Sequence, residues 1–97
     1  MRAVFHPQVF SDLAKVMEYY ERVATPELAD DFYREFRIFV EEAVARPESF
    51  AIRVRDIRRA NLRRFPYHFL FRVVGDSVCI LVVRHHRRRP TFGMRRR

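Results

Sequence analysis

A chain of 97 residues with two glycines, five prolines and 48% hydrophobic residues has the composition of one small packed domain, which excludes low-complexity and linker-dominated chains. Its net charge of +8 is unevenly placed: residues 1–50 hold six Lys/Arg against ten Asp/Glu (−4), and residues 51–97 hold fourteen Arg against two Asp (+12). The single cysteine, Cys79, excludes an intrachain disulfide and a cysteine-built zinc site, and no apolar stretch approaches the roughly 18 residues of a membrane span.

In chain order, Ala3–His6 is a short apolar segment and reads as a strand. Polar and apolar residues alternate too closely in Met1–Phe10 for a secretory leader, so the expected location is the cytoplasm and the expected organisation a single domain over residues 1–97. From Pro7 the pattern becomes helical, with Phe10, Leu13, Val16/Met17 and Tyr20 at three- and four-residue spacing. Thr25-Pro26-Glu27 supplies an N-cap, a first-turn proline and an early acid for a second helix, which Pro47 ends. Its apolar face is Leu28, Phe32, Phe36, Phe39/Val40 and Ala43/Val44, and its polar face carries Asp30, Asp31, Arg34, Glu41 and Glu42.

After Pro47 the period shortens to two. Ile52, Val54 and Ile57 alternate with Arg53, Arg55 and Arg58, as in a strand with one basic face, and Leu62–Phe65 repeats the theme before Pro66. Phe69–Val74 and Val78–Val83 are strong strands around a Gly75-Asp76 turn. The order predicts an α+β fold: an N-terminal strand, then an antiparallel two-helix hairpin packed on an antiparallel sheet of three or four strands. The helices cover one face and leave the other ringed by arginines. Nineteen of the twenty cations are arginine, the side chain suited to bidentate contacts with phosphate and carboxylate. Tyr19, Tyr20, Tyr67 and Cys79 read as core, His68 as alternating out to solvent, and Arg95–Arg97 as a solvated charge cluster.

The series Arg63-Arg64-Phe65-Pro66-Tyr67, Phe69-Leu70-Phe71-Arg72-Val73, Gly75-Asp76, Val78–Val83 and His85-x-Arg87-Arg88-x-Pro90 resembles RelE/ParE-type toxins. So do the opening Phe5-His6-Pro7 with Leu13 and Tyr19-Tyr20, and the second helix with Phe32 and Phe36. The likeness spans essentially the whole chain and is best to the ParE-like branch, often labelled plasmid stabilisation proteins. It implies the toxin of a type II toxin–antitoxin pair, a growth inhibitor silenced by a cognate antitoxin with an acidic C-terminal segment. Such a segment complements the +12 half of the chain.

The resemblance leaves two targets: DNA gyrase, as for ParE-like members, or mRNA on the ribosome, cut by RelE-like members. Metal-independent RNA cleavage needs a base for the 2′-OH, cations for the phosphorane and an acid for the leaving oxygen. Aligned on RelE-like nucleases, the arginine of the third strand becomes His68, the one after the last strand becomes His86 (or Arg87), and the tyrosine becomes Phe92. A phenyl ring moves no proton, so gyrase is the favoured target. If the chain is a nuclease, the candidates are His68, His85, His86 and Arg88. The candidates for binding target or antitoxin are Arg53, Arg55, Arg64, Arg72, Arg87, Arg88 and Arg89; Arg64 and Arg72 either face the target or pair with acids from the helices. No cofactor, metal, membrane or small-molecule substrate is expected.

Overall fold

The computed structural model describes residues 1–96. A strand, β1 (Arg2–Phe5), leads into two helices, α1 (Pro7–Val23) and α2 (Pro26–Ala45), and four further strands follow: β2 (Ile52–Val54), β3 (Ile57–Asn61), β4 (Tyr67–Val74) and β5 (Ser77–His85). Each helix begins where the sequence supplies a cap. Thr25 Oγ1 accepts from the Leu28 N–H at 3.1 Å, and His6 Nδ1 accepts from the Gln8 N–H at 3.1 Å. The prolines behind these caps occupy first-turn positions whose N–H has no helical partner.

α2 buries Ala29, Phe32, Phe36, Val40 and Ala43, close to its predicted face. α1 is turned by one residue from its predicted stripe. It buries Val9, Asp12, Leu13 and Val16, while Phe10 is 62% exposed, Tyr19 is exposed and Tyr20 is half-buried. The reason is polar. Asp12 accepts from the buried Val83 N–H of β5 at 3.0 Å, and that contact fixes which side of α1 faces the sheet.

The sheet has five strands in the order β1-β5-β4-β3-β2, and it is mixed rather than wholly antiparallel. β1 runs parallel to β5, with Arg2 opposite Ser77 and Phe5 opposite Ile80, a pairing made possible by the long intervening chain. The predicted basic strand over residues 52–58 is instead a tight hairpin. Arg55 takes φ 54° in its turn, and Ile52 and Val54 lie exposed on the outer strand. Leu62–Phe65 is a loop, yet Leu62 and Phe65 are buried. Glu35 of α2 holds that loop by accepting from the Arg63 and Arg64 N–H groups at 2.6 and 3.0 Å. The β4–β5 turn is Gly75-Asp76 as predicted, with Gly75 at φ 58°.

The helix-covered face is the aromatic core. Phe32 packs edge-on to Phe65, and Phe36 edge-on to Phe69, at centroid distances of 5.4 and 5.5 Å. Burying each such ring stabilises the fold by about 2–3 kcal/mol. A bulge in β5 sets up the other face. Leu70 is opposite Val82 while Phe71 is opposite Ile80, so Leu81 is extra and both Leu81 and Val82 join Ile57 and Leu70 away from the helices.

The chain after β5 returns across this second face, with Phe92 and Met94 packed on the small apolar cluster. Gly93 is demanded twice: its φ is 79°, and a Cβ there would lie 2.6 Å from Val82 Cγ2. Arg96, expected in a solvated tail, is instead inside, where its guanidinium meets Asp12 Oδ2 at 2.5 Å and Oδ1 at 3.1 Å and donates to the Leu81 carbonyl at 3.1 Å. Arg95 is exposed, and Arg97 lies outside the described residues. Among the described residues, no helix is long and apolar enough to cross a membrane.

Candidate functional site

Five segments converge on a cleft of about 240 Å³ on the second face of the sheet. β2 supplies Arg53 and Val54, and β3 supplies Ile57 and Arg59. β4 gives His68 and Leu70, β5 gives Arg84, and the returning segment gives His86, Arg88, Pro90 and Met94. Strand alternation places Arg59, His68 and Arg84 on one face, because Arg59 is opposite Leu70 and His68 is opposite Arg84.

His68 is 1% exposed, against the expectation that it turns to solvent, because the returning segment covers this face. Arg84 Nε donates to His68 Nε2 at 2.9 Å, so the His68 proton resides on Nδ1. That Nδ1 lies 2.9 Å from Nδ1 of His86, whose ring stacks on it with 12° between planes. Nδ1 of His86 is therefore an acceptor, also approached by Arg59 Nη2 at 3.3 Å, and the His86 proton sits on Nε2. Burial, then the charges of Arg59 and Arg84, hold His68 down to about 3. Partial burial, Arg59 and His85 also lower His86. Both imidazoles are neutral near pH 7.

The two arginines are placed by neutral groups. Arg59 Nε donates to Asn61 Oδ1 at 2.7 Å, and Arg84 Nη1 donates to the carbonyls of Pro90 and Phe92 at 2.7 and 2.9 Å. Phe92 itself lies between Arg88 and Arg96, at 4.0 and 5.3 Å from ring centroid to guanidinium.

Of the residues proposed from sequence, the fold gathers Arg53, His68, His86 and Arg88 at this cleft. His85 lies elsewhere. Its ring packs edge-on to Tyr67 at 5.0 Å, and its Nδ1 accepts from the Arg87 N–H at 3.0 Å, which shapes the turn after β5. Arg64 stands on the helix side, 3.6 Å from Asp31, and Arg72 is tied to Asp56 at 3.3 Å. Arg55 occupies the β2–β3 turn, and Arg87 and Arg89 stand exposed on the turn after β5. Cys79 is half-buried because it alternates with Val78 and Ile80 of the aromatic core and so faces the other side of the sheet.

Sequence reasoning missed Arg59, Arg84, Asp12 and Arg96. Two of them carry a local signal: Asp12 falls within an apolar helical stripe, and Arg84 continues the apolar run Leu81-Val82-Val83. A charge in such a place needs a partner.

Residues 3–90 match the family model described as the ParE toxin of the type II toxin–antitoxin system, parDE. The chain belongs to the ParE toxin family. A chain of the chromosomal ParDE toxin–antitoxin system from P. aeruginosa has the same fold, with a TM-score of 0.78 at 23% identity over 88% of this chain and 95% of that one. No curated protein matches. The ParE match takes in the helix hairpin, the sheet from Ala3 onward and the arginine-rich turn, and it ends at Pro90. Phe92, Gly93, Met94 and Arg96, which close the second face, lie beyond the matched residues.

Proposed function

We propose that this ParE-family toxin arrests growth by binding DNA gyrase in the cytoplasm, without cutting RNA, and that a cognate antitoxin silences it. The observation that carries this reading is the hydrogen-bond geometry at the His68–His86 pair, from which its protons are assigned. Each unprotonated ring nitrogen already accepts a hydrogen bond, from Arg84 in one case and from His68 and Arg59 in the other. Neither imidazole has a free lone pair to take a 2′-OH proton, and neutral rings are poor acids for a leaving oxygen. Arginine stays protonated and serves as neither. Phe92, which the resemblance aligns with the tyrosine of RelE-like nucleases, has no hydroxyl. Cations to stabilise a phosphorane are therefore present without the acid–base pair that cleavage needs.

The surface offered to a macromolecule is the exposed turn Arg87-Arg88-Arg89 with Arg53 and Arg55 of the β2–β3 hairpin. The acidic faces of the helices lie across the sheet from it. An antitoxin segment rich in Asp and Glu suits this basic side and would gain charge-assisted bonds as it folds on it.

The test is a gyrase supercoiling assay with purified toxin, run beside primer extension on mRNA from translating ribosomes. Supercoiling is expected to fall while the mRNA stays intact. Codon-positioned cuts with normal supercoiling would overturn the proposal and make His68 and His86 the residues to replace.

A further inference from the structure

Arg59 and Arg84 are half-buried guanidiniums that form no ion pair among the described residues. Their partners, Asn61, the two imidazoles and two backbone carbonyls, orient them without neutralising them. Burial and the neighbouring guanidinium (Arg53 for Arg59, and Arg59 for Arg84) pull both below the ordinary arginine value. Arg53 and Arg88 stand at the rim of the same cleft. Partly buried cations without a counter-charge cost free energy that an anion recovers.

We propose that this cleft binds a terminal phosphate group, carried by a small phosphate ester or by the phosphorylated end of a nucleic acid. Arg53, Arg59, Arg84 and Arg88 converge there beside the His86 ring, which suits a multiply charged tetrahedral anion better than a carboxylate with its two oxygens. The size argues for an end group. Arg53 and Val54 of β2 and Pro90 and Met94 of the returning segment all line a cleft of about 240 Å³, a size suited to an end group rather than to a continuous strand. Ile57 and Leu70 supply an apolar floor for the attached sugar or base, and about 240 Å³ holds little more. The group is bound and not cleaved, since the site lacks a free base. Met94 lies beyond the residues that match the family model, so part of this lining is an addition outside that match. The inference stands apart from the gyrase reading, because it does not depend on what the toxin inhibits.

The full chain is titrated with inorganic phosphate, adenosine 5′-monophosphate and a dinucleotide with hydroxyls at both ends, at matched ionic strength in chloride. Nuclear magnetic resonance follows the Arg59 and Arg84 Nε–H and the His86 ring. Phosphate and the monophosphate are expected to shift these signals saturably, and the dinucleotide to bind at least about tenfold more weakly. Arg59→Gln should weaken the monophosphate about tenfold or more. Arg53→Gln, on an exposed strand where it cannot upset folding, should weaken it about threefold. A 5′-phosphorylated oligonucleotide that binds more tightly than the monophosphate identifies a nucleic-acid end as the source, and equal binding identifies a small ester. No saturable shift, equal binding of the dinucleotide, or binding unmoved by both substitutions overturns the site.

Discussion

On the helix-covered face of the sheet, Phe32, Phe36, Phe69 and Phe71 are almost completely excluded from water; Phe36 meets Phe69 edge to face, Phe32 meets Phe65 in the same way, and Phe71 packs tilted on Phe69. On the opposite face the buried apolar cluster is Ile57, Leu70, Leu81 and Val82, and what covers it is held by arginines: Arg84 on the carbonyls of residues 90 and 92, and Arg96 on Asp12. The first face is cohesive by area and tolerates polar groups poorly. The second depends on directed bonds between residues far apart in the chain. The difference teaches where stability and recognition reside: packing secures the fold on one side and leaves cations free to meet a ligand on the other.

Four substitutions test this division, from the largest expected effect to the smallest. Phe36→Ala, in the aromatic core, should cost about 4 kcal/mol in chemical denaturation, with loss of cooperativity across the whole chain. Asp12→Ala should cost about 3 kcal/mol, because it strands the Arg96 guanidinium and the Val83 N–H in a water-poor place. A cost near that of a surface substitution would show that the ion pair does not anchor the second face.

The third concerns pH. The folded chain holds His68 at about 3 against an ordinary value of 6.5, so between these values the unfolded chain carries a proton that the folded chain refuses. Stability is therefore complete above the ordinary value and falls as the pH drops toward the lower one. His68→Gln should remove this slope, so between pH 7 and pH 5 wild type should lose about 2 kcal/mol more than the variant. Parallel stability curves would mean that His68 is not held neutral.

Gly93→Ala should have the smallest global effect, about 1 kcal/mol, although the added methyl meets Val82 directly. The returning segment can lift away while the aromatic core stays closed. The sensitive readout is limited trypsin digestion after Arg87 and Arg88, which should quicken severalfold. Unchanged digestion would place the segment's hold elsewhere.

How much of this was legible in the sequence follows the same division. Phe32, Phe36 and Val40 repeat at helical spacing, and Gly75-Asp76 between two apolar runs announces a hairpin, because local periodicity and turn chemistry act within a few residues. α1 was displaced by one residue because its side facing the sheet is chosen by Asp12, whose partners Val83 and Arg96 are remote. The hairpin over residues 52–61 was hidden by Arg55, a non-glycine in a left-handed turn. The parallel pairing of β1 with β5 leaves no trace in either strand alone. At the candidate site, His68 and His86 could be picked out by chemistry. Arg59 and Arg84 could not, since only the register places them around the imidazoles.

The pairing of the first strand with the fifth has a consequence for how the protein is made. As the polypeptide emerges from the ribosome, β1 and Asp12 appear early and find nothing to bind, because β5 and Arg96 are still to be synthesised. Long-range contacts of this kind delay closure until the sequence around residue 96 is free. A truncated translation product has an unpaired strand and an unmatched acid, the features that open a chain to proteolysis.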